Sequence, residues 1–196
     1  MNTRKNSWRP CPASAPARKA DVDGLKELIK AIDFAAGKHR DQRRKDVEAT
    51  PYINHPIDLA SLLVEEAGVT DVTVIIAAIL HDTLEDTETT LEELETVFGP
   101  EVARIVMEVS DDKTLPKGVR KRLQVTHATN NSREAKLVKL ADKICNLRDM
   151  AEHPPAHWPL ERKREYYDWA KEVIDQMRGT NEVLEKLFDI EYQKKP

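Results

Sequence analysis

Nothing in this sequence builds a disulfide framework. Its two cysteines, Cys11 and Cys145, stand far apart, a usage that fits a reducing compartment, the cytoplasm. Long apolar runs are missing too. None approaches the ~18 residues of a spanning helix, so no membrane segment is expected. There is no excess of positive charge: the formal net charge is −4, which argues against general nucleic-acid binding, whose usual footprint is basic. Aromatic residues make up only 5% of the chain, against 34% charged and 40% hydrophobic. That balance suits a helical globule better than a β-sandwich. No internal repeat is found.

What remains is 196 residues, enough for one domain with a substantial core. Residues 1–20 carry several Arg, Lys, Ser, Pro and Ala, no acid, and no apolar centre of a secretory signal. They are expected to be a disordered leader, a transit peptide being the alternative. The folded domain is expected over 21–196.

Apolar periodicity predicts helices along that domain. Asp21 to His39 reads as the first, with Leu25, Leu28, Ile29, Ile32 and Ala36 inward. Pro51, Tyr52 and Ile53 suggest one short β-hairpin near 44–53, or an ordered loop there. Asn54 is read as a cap and Pro56 as a first-turn residue of the next helix, which Gly68 stops. Thr90-x-x-Glu93 resembles a capping box. Ser132 and Thr180 are read as caps of two later helices. The fold class is all-α, a compact multi-helix bundle with short links.

The central stretch is Ile75-Ile76-Ala77-Ala78-Ile79-Leu80-His81-Asp82-Thr83-Leu84-Glu85-Asp86. His81 and Glu85 are four apart, as are Asp82 and Asp86, so a helix would stack each pair on one side. Imidazole and carboxylate are good divalent-metal ligands. Two further carboxylates, Glu85 and Asp86, are placed to orient or deprotonate a water. Two more ligands are sought in buried patterns, where His55 and Asp142 are the candidates. A carboxylate on an apolar helix face such as that of Asp142 is costly unless paired or bound to metal; a salt bridge to a neighbouring lysine is the plainer account. A His₂Asp₂ set suits Mn²⁺, with Zn²⁺ or Fe²⁺ as alternatives. Arg44, Lys45, Lys139 and Lys143 are candidates to hold phosphate groups. Lys136, Lys139, Lys143 and Asn146 share one side of a helix, either solvated surface or the rim of a pocket. Lys113 and Lys117, in a polar loop, can reach an anionic ligand, though a solvated loop is the commoner case.

Four motifs together resemble the hydrolase domain of RelA/SpoT-type enzymes in the HD phosphohydrolase superfamily. They are Arg43-Arg44-Lys45-Asp46, Tyr52-Ile53-Asn54-His55-Pro56, His81-Asp82-Thr83-Leu84-Glu85-Asp86-Thr87 and Lys139-Leu140-Ala141-Asp142-Lys143-x-x-Asn146-Leu147-Arg148. The likeness runs from about Leu25 to Tyr192 and is strongest to the small stand-alone, metazoan-type alarmone hydrolases. Thr114-Leu115-Pro116-Lys117 and Arg162 with Tyr166-x-x-Trp169 also look like that group. The resemblance implies an HD-domain bundle with His55, His81, Asp82 and Asp142 as Mn²⁺ ligands and Glu85 and Asp86 as the catalytic pair. It implies nucleotide-binding roles for Arg44, Lys45 and Asn146, and substrate-side roles for Lys117, Arg162 and Tyr166. The activity implied is hydrolysis of the 3′-pyrophosphate of (p)ppGpp; removal of the NADPH 2′-phosphate is the alternative. A nucleotide sensor without turnover is an alternative of another class. One departure stands out. The long enzymes carry Arg-Leu-His-Asn-Met-Arg-Thr where this chain has Lys143-Ile144-Cys145-Asn146-Leu147-Arg148-Asp149. The partner expected is therefore a small nucleotide, with no nucleic acid and no membrane. The sequence leaves the oligomeric state open.

Overall fold

The computed structural model describes residues 19–196; the leader expected over 1–20 and Cys11 lie in or beside the part outside it. The helices are α1 (Lys19–Lys38), α2 (Asn54–Ser61), α3 (Val72–Leu80), α4 (Thr83–Asp86), α5 (Leu91–Phe98), α6 (Pro100–Val109), α7 (Lys117–Ala128), α8 (Arg133–Glu152), α9 (Leu160–Asp175) and α10 (Glu182–Tyr192). A five-residue π-helical turn, Leu62–Glu66, continues α2. Among the described residues there is no named strand, and no helix is long and apolar enough to cross a membrane.

Two helices make the axis of the core. α3 is buried from Val74 to Leu80 and packs against α1, α2, α6 and α8. Its β-branched residues do not make it a strand, because it is surrounded by helices that satisfy none of a strand's backbone groups. α8 packs against α2, α3, α6, α9 and α10 and buries Leu137, Val138, Leu140, Ala141, Ile144 and Leu147. Both axis helices therefore deliver side chains to the middle of the molecule.

The ends are chemically specified. Asp71 accepts from Thr73 N–H at the start of α3, Thr90 from Glu93 N–H at α5, and Ser132 from Ala135 N–H at α8; each satisfies a donor the helix leaves unpaired. Gly68 follows the π-turn at φ +65°, a left-handed value that glycine adopts without strain.

Four local expectations are corrected. The inward stripe of α1 is Leu28, Ala31, Ile32 and Ala35, continued by the buried His39 just past its end, while Leu25 and Ile29 are each 57% exposed. Close packing explains the rotation: a Cβ on Gly24 would meet Val72 Cγ2 at 3.4 Å, so α3 packs along the small-residue side. The hairpin near 44–53 reduces to one isolated antiparallel bridge, Arg43 to Pro51, with Arg44 N–H on Thr50 O and Tyr52 N–H on Gln42 O. Pro51 has no N–H to extend the ladder. Asn54 is the first residue inside α2, and the cap position is Ile53, which makes no side-chain bond. The last helix is capped by Asn181, which accepts from Val183 and Leu184 N–H; the Thr180 hydroxyl donates to Met177 O instead.

Candidate active site

α3 ends at Leu80, and His81 and Asp82 form a turn before α4. Asp82 has φ −98° and ψ −2°, so the expected unbroken helix is kinked there. The next turn still forms, with Asp86 N–H on Asp82 O at 2.8 Å. The kink leaves His81 and Asp82 facing the entry of α2, where His55 sits, and the middle of α8, where Asp142 sits.

The four side chains meet. Donor atoms of His55, His81 and Asp82 lie within 4.8 Å of one another. Asp142 Oδ1 is 3.2 Å from His55 Nε2 and 4.0 Å from His81 Nε2. His81 Nδ1 lies 2.8 Å from the Ala78 carbonyl, which can only accept, so this nitrogen carries the proton. Nε2 of the neutral ring is then a bare lone pair. It is buried and hydrogen-bonded to nothing among the described residues, though Asp82 Oδ2 is 2.9 Å away. A buried lone pair beside two carboxylates suits a cation, so the donor chemistry fits a divalent metal.

The charges respond to this crowding. Burial works against the His81 imidazolium, yet Asp82 and Asp142 draw a second proton onto Nε2 and hold the pKa up at about 9; a divalent cation would displace that proton and take the lone pair. Burial would raise both carboxyls, yet Asp82 is held below its ordinary value by His81, and Asp142 well below it by Lys143 and His55. Burial pushes Glu85 up to about 7, the Asp111 N–H working against it.

Around this corner lies a cavity of about 210 Å³ lined by Glu85, Asp86, Lys139, Lys143 and Asn146 as well as the four donors. Lys139 and Lys143 are almost fully buried. The Lys143 ammonium bonds Asp142 Oδ2 at 2.9 Å and lies 4.6 Å from the Trp169 ring centre. Its pKa is raised by Asp142 despite burial. Among the described residues Lys139 bonds only the Val109 carbonyl, and burial beside Lys143 lowers it to about 8. The bland and functional readings of Asp142 thus coexist: it is salt-bridged by Lys143 and still faces both histidines. Lys136 bonds Thr129 O away from this cavity.

A larger cavity of about 810 Å³ shares Arg44, Tyr52, His55, Asp86 and Asn146 with the first, and adds Lys45, Trp158 and Tyr166. The Arg44 guanidinium lies 5.6 Å from the Tyr52 ring centre, donates to Asn146 Oδ1 at 3.2 Å, and pairs with Asp149. Asp149, the departure noted in the motif, thus holds the arginine. Asn146 also donates to Asp142 Oδ1 at 2.5 Å. Lys117 and Arg162 line neither cavity; Arg162 lies 4.1 Å over the ring of Trp158 at the rim.

Sequence reasoning missed several participants. Tyr52, read as a β-former and as part of the His55 motif but given no role, donates its hydroxyl to Asp82 Oδ2; its place three residues before His55 was the available signal. Lys113 pairs with the Asp86 carboxylate rather than with a free anion. Asp111, Arg120 and Gln124 form a network on Glu85, and nothing local in the sequence marks it.

A model of the HD domain matches residues 31–168. The human guanosine-3′,5′-bis(diphosphate) 3′-pyrophosphohydrolase MESH1 is 58% identical over 160 residues, covering 82% of this chain and 89% of that protein. The Drosophila melanogaster protein of the same name is 49% identical over 163 residues, covering 83% and 91%. A solved structure described as a metazoan ortholog of SpoT that hydrolyses ppGpp superposes with a TM-score of 0.84 at 45% identity, covering 93% of this chain and 98% of that one.

Proposed function

The chain belongs to the HD-domain family, and on that premise we propose that it is a divalent-metal-dependent guanosine-3′,5′-bis(diphosphate) 3′-pyrophosphohydrolase. Residues 21–196 form its catalytic domain, Mn²⁺ is its ion with Zn²⁺ or Fe²⁺ as alternatives, and it works in the cytoplasm. One observation carries the reading: His55, His81 and Asp82 converge beside Asp142, in a cavity also lined by the acids Glu85 and Asp86 and the buried lysines Lys139 and Lys143. Binding alone needs no such acid pair, which weighs against a sensor without turnover.

His55, His81, Asp82 and Asp142 would hold the ion. When bound, it polarises a phosphoryl oxygen and makes water a better nucleophile. Glu85, with a carboxyl pKa of about 7, accepts the water's proton, and Asp86 orients that water. The water oxygen bonds to the phosphorus attached to O3′, and the P–O3′ bond breaks. O3′ takes a proton and becomes a ribose hydroxyl, and pyrophosphate departs. Lys139 and Lys143 offset the phosphoryl charge from inside the cavity. Arg44, Lys45, Asn146 and Tyr166 seat the nucleoside, with Lys117 and Arg162 at the outer rim facing its remaining phosphates. Incubating the full chain with ppGpp and Mn²⁺ should yield GDP and pyrophosphate in equal amounts by chromatography and ³¹P NMR. Orthophosphate as the product, or no turnover by metal-loaded protein, would refute the assignment.

A second reading is removal of the 2′-phosphate of NADPH at the same centre. The larger cavity favours weighing it, because it continues past Arg44 and Tyr52 to Ser61, Glu66 and Arg148. That is room for the second half of a dinucleotide. Rates on ppGpp and NADPH under one set of conditions decide, and a strong preference for NADPH reverses the order.

A further inference from the structure

Glu85 sits on a four-residue helix, α4, too short to hold a long side chain still by backbone bonds alone. Its carboxylate is nevertheless gripped at both oxygens from distant parts of the chain. The Asp111 N–H donates to Oε2 at 3.0 Å, and Arg120 Nη1 donates to Oε1 at 3.3 Å. The same Nη1 lies 3.7 Å from Asp111 Oδ2. That carboxylate is held in turn by Gln124 Nε2, 2.9 Å from each oxygen. Arg120 Nε is buried and makes no hydrogen bond among the described residues, so the two carboxylates are what fix the guanidinium. Glu85, Asp111 and Gln124 line the smaller cavity; Arg120 lines neither.

We propose that Arg120 is a positioning residue, acting on turnover through Glu85 by keeping that carboxylate aimed into the smaller cavity. The proposal rests on the reading that Glu85 accepts the proton. Its physical basis is that a displacement of about 1 Å in a reacting group can cost on the order of 10²-fold in rate, and a glutamate without its clamp regains several rotamers. Because Arg120 does not face the substrate cavity, its loss should appear in kcat and not in KM.

The test is a double-mutant cycle on the full metal-loaded chain with ppGpp, comparing Arg120→Ala, Glu85→Gln and the double variant. Arg120→Ala should lower kcat by about 10- to 100-fold with KM within about twofold. Its metal content by elemental analysis should equal that of the parent protein. Added guanidinium ion should restore part of the lost rate. In the Glu85→Gln background the same change should cost less than about twofold more, since the group it positions is already gone. Should Arg120→Ala not fold, Arg120→Lys in both backgrounds gives the same comparison, with a smaller loss because one donor and the charge remain. Equal losses in both backgrounds, or a loss confined to KM, would overturn the positioning role and leave the proposed activity standing. Full activity in Glu85→Gln alone would remove the proton acceptor, and with it this proposal.

Discussion

Tyr52→Phe isolates one hydroxyl group. That hydroxyl donates to Asp82 Oδ2, and Asp82 is a proposed metal ligand. The ring keeps its neighbours in the variant: His39 at 4.9 Å, Arg44 at 5.6 Å and His55 at 6.1 Å between centres. The change therefore removes a bond and little packing. A hydrogen bond to a charged group contributes about 1.5–3 kcal/mol. Outer-sphere partners of metal ligands typically change affinity by about 10- to 100-fold, and at about 1.4 kcal/mol per tenfold the two scales agree. We therefore expect Mn²⁺ to bind Tyr52→Phe about 10- to 100-fold more weakly. The assay is competition with a chromophoric chelator on the full chain. Urea unfolding of the metal-free proteins serves as control: the lost bond should itself cost about 1.5–3 kcal/mol of stability, and the variant should still be folded in the buffer used for metal binding. Unchanged metal affinity would refute the argument that the hydroxyl holds Asp82 in place.

Asp86→Asn should keep its metal and lose nearly all turnover, whereas His81→Ala should lose both; elemental analysis with a pyrophosphate-release assay separates them. Glu85 must be ionised to accept a proton, so kcat/KM should fall as pH drops through its pKa. Burial puts that pKa at about 7, and a cation bound nearby lowers it, so the acid limb should lie at or below pH 7 and vanish in Glu85→Gln. Leu80→Ala, at a fully buried site next to His81, should cost about 2–5 kcal/mol by urea unfolding.

Much of this site was legible because the relevant signals are local. The apolar run from Ile75 to Leu80 fits a buried helix, and although a His-Asp pair alone is a weak signal, His81-Asp82-x-x-Glu85-Asp86 directly after such a run is a strong one. Asp142 and His55 stood out as polar residues in apolar patterns. Contacts spanning long stretches of chain were not legible. Arg120 meets Glu85 across 35 positions and Tyr52 meets Asp82 across 30, and neither pairing has a periodic signature. The face of α1 was legible at Leu28 and Ile32 but not at Leu25 and Ile29, because the small residues Ala31 and Ala35, rather than those larger ones, turn inward. The cap at Asn181 went to the better of two adjacent candidates.

Lys139 and Lys143 are sealed inside the molecule and line the smaller cavity. Such charges attract phosphoryl oxygens whether or not these are still esterified. On the proposed reading, the released diphosphate should therefore compete for the seat it has just left. As it accumulates it should slow the enzyme, and steady throughput depends on some other catalyst splitting or removing that anion.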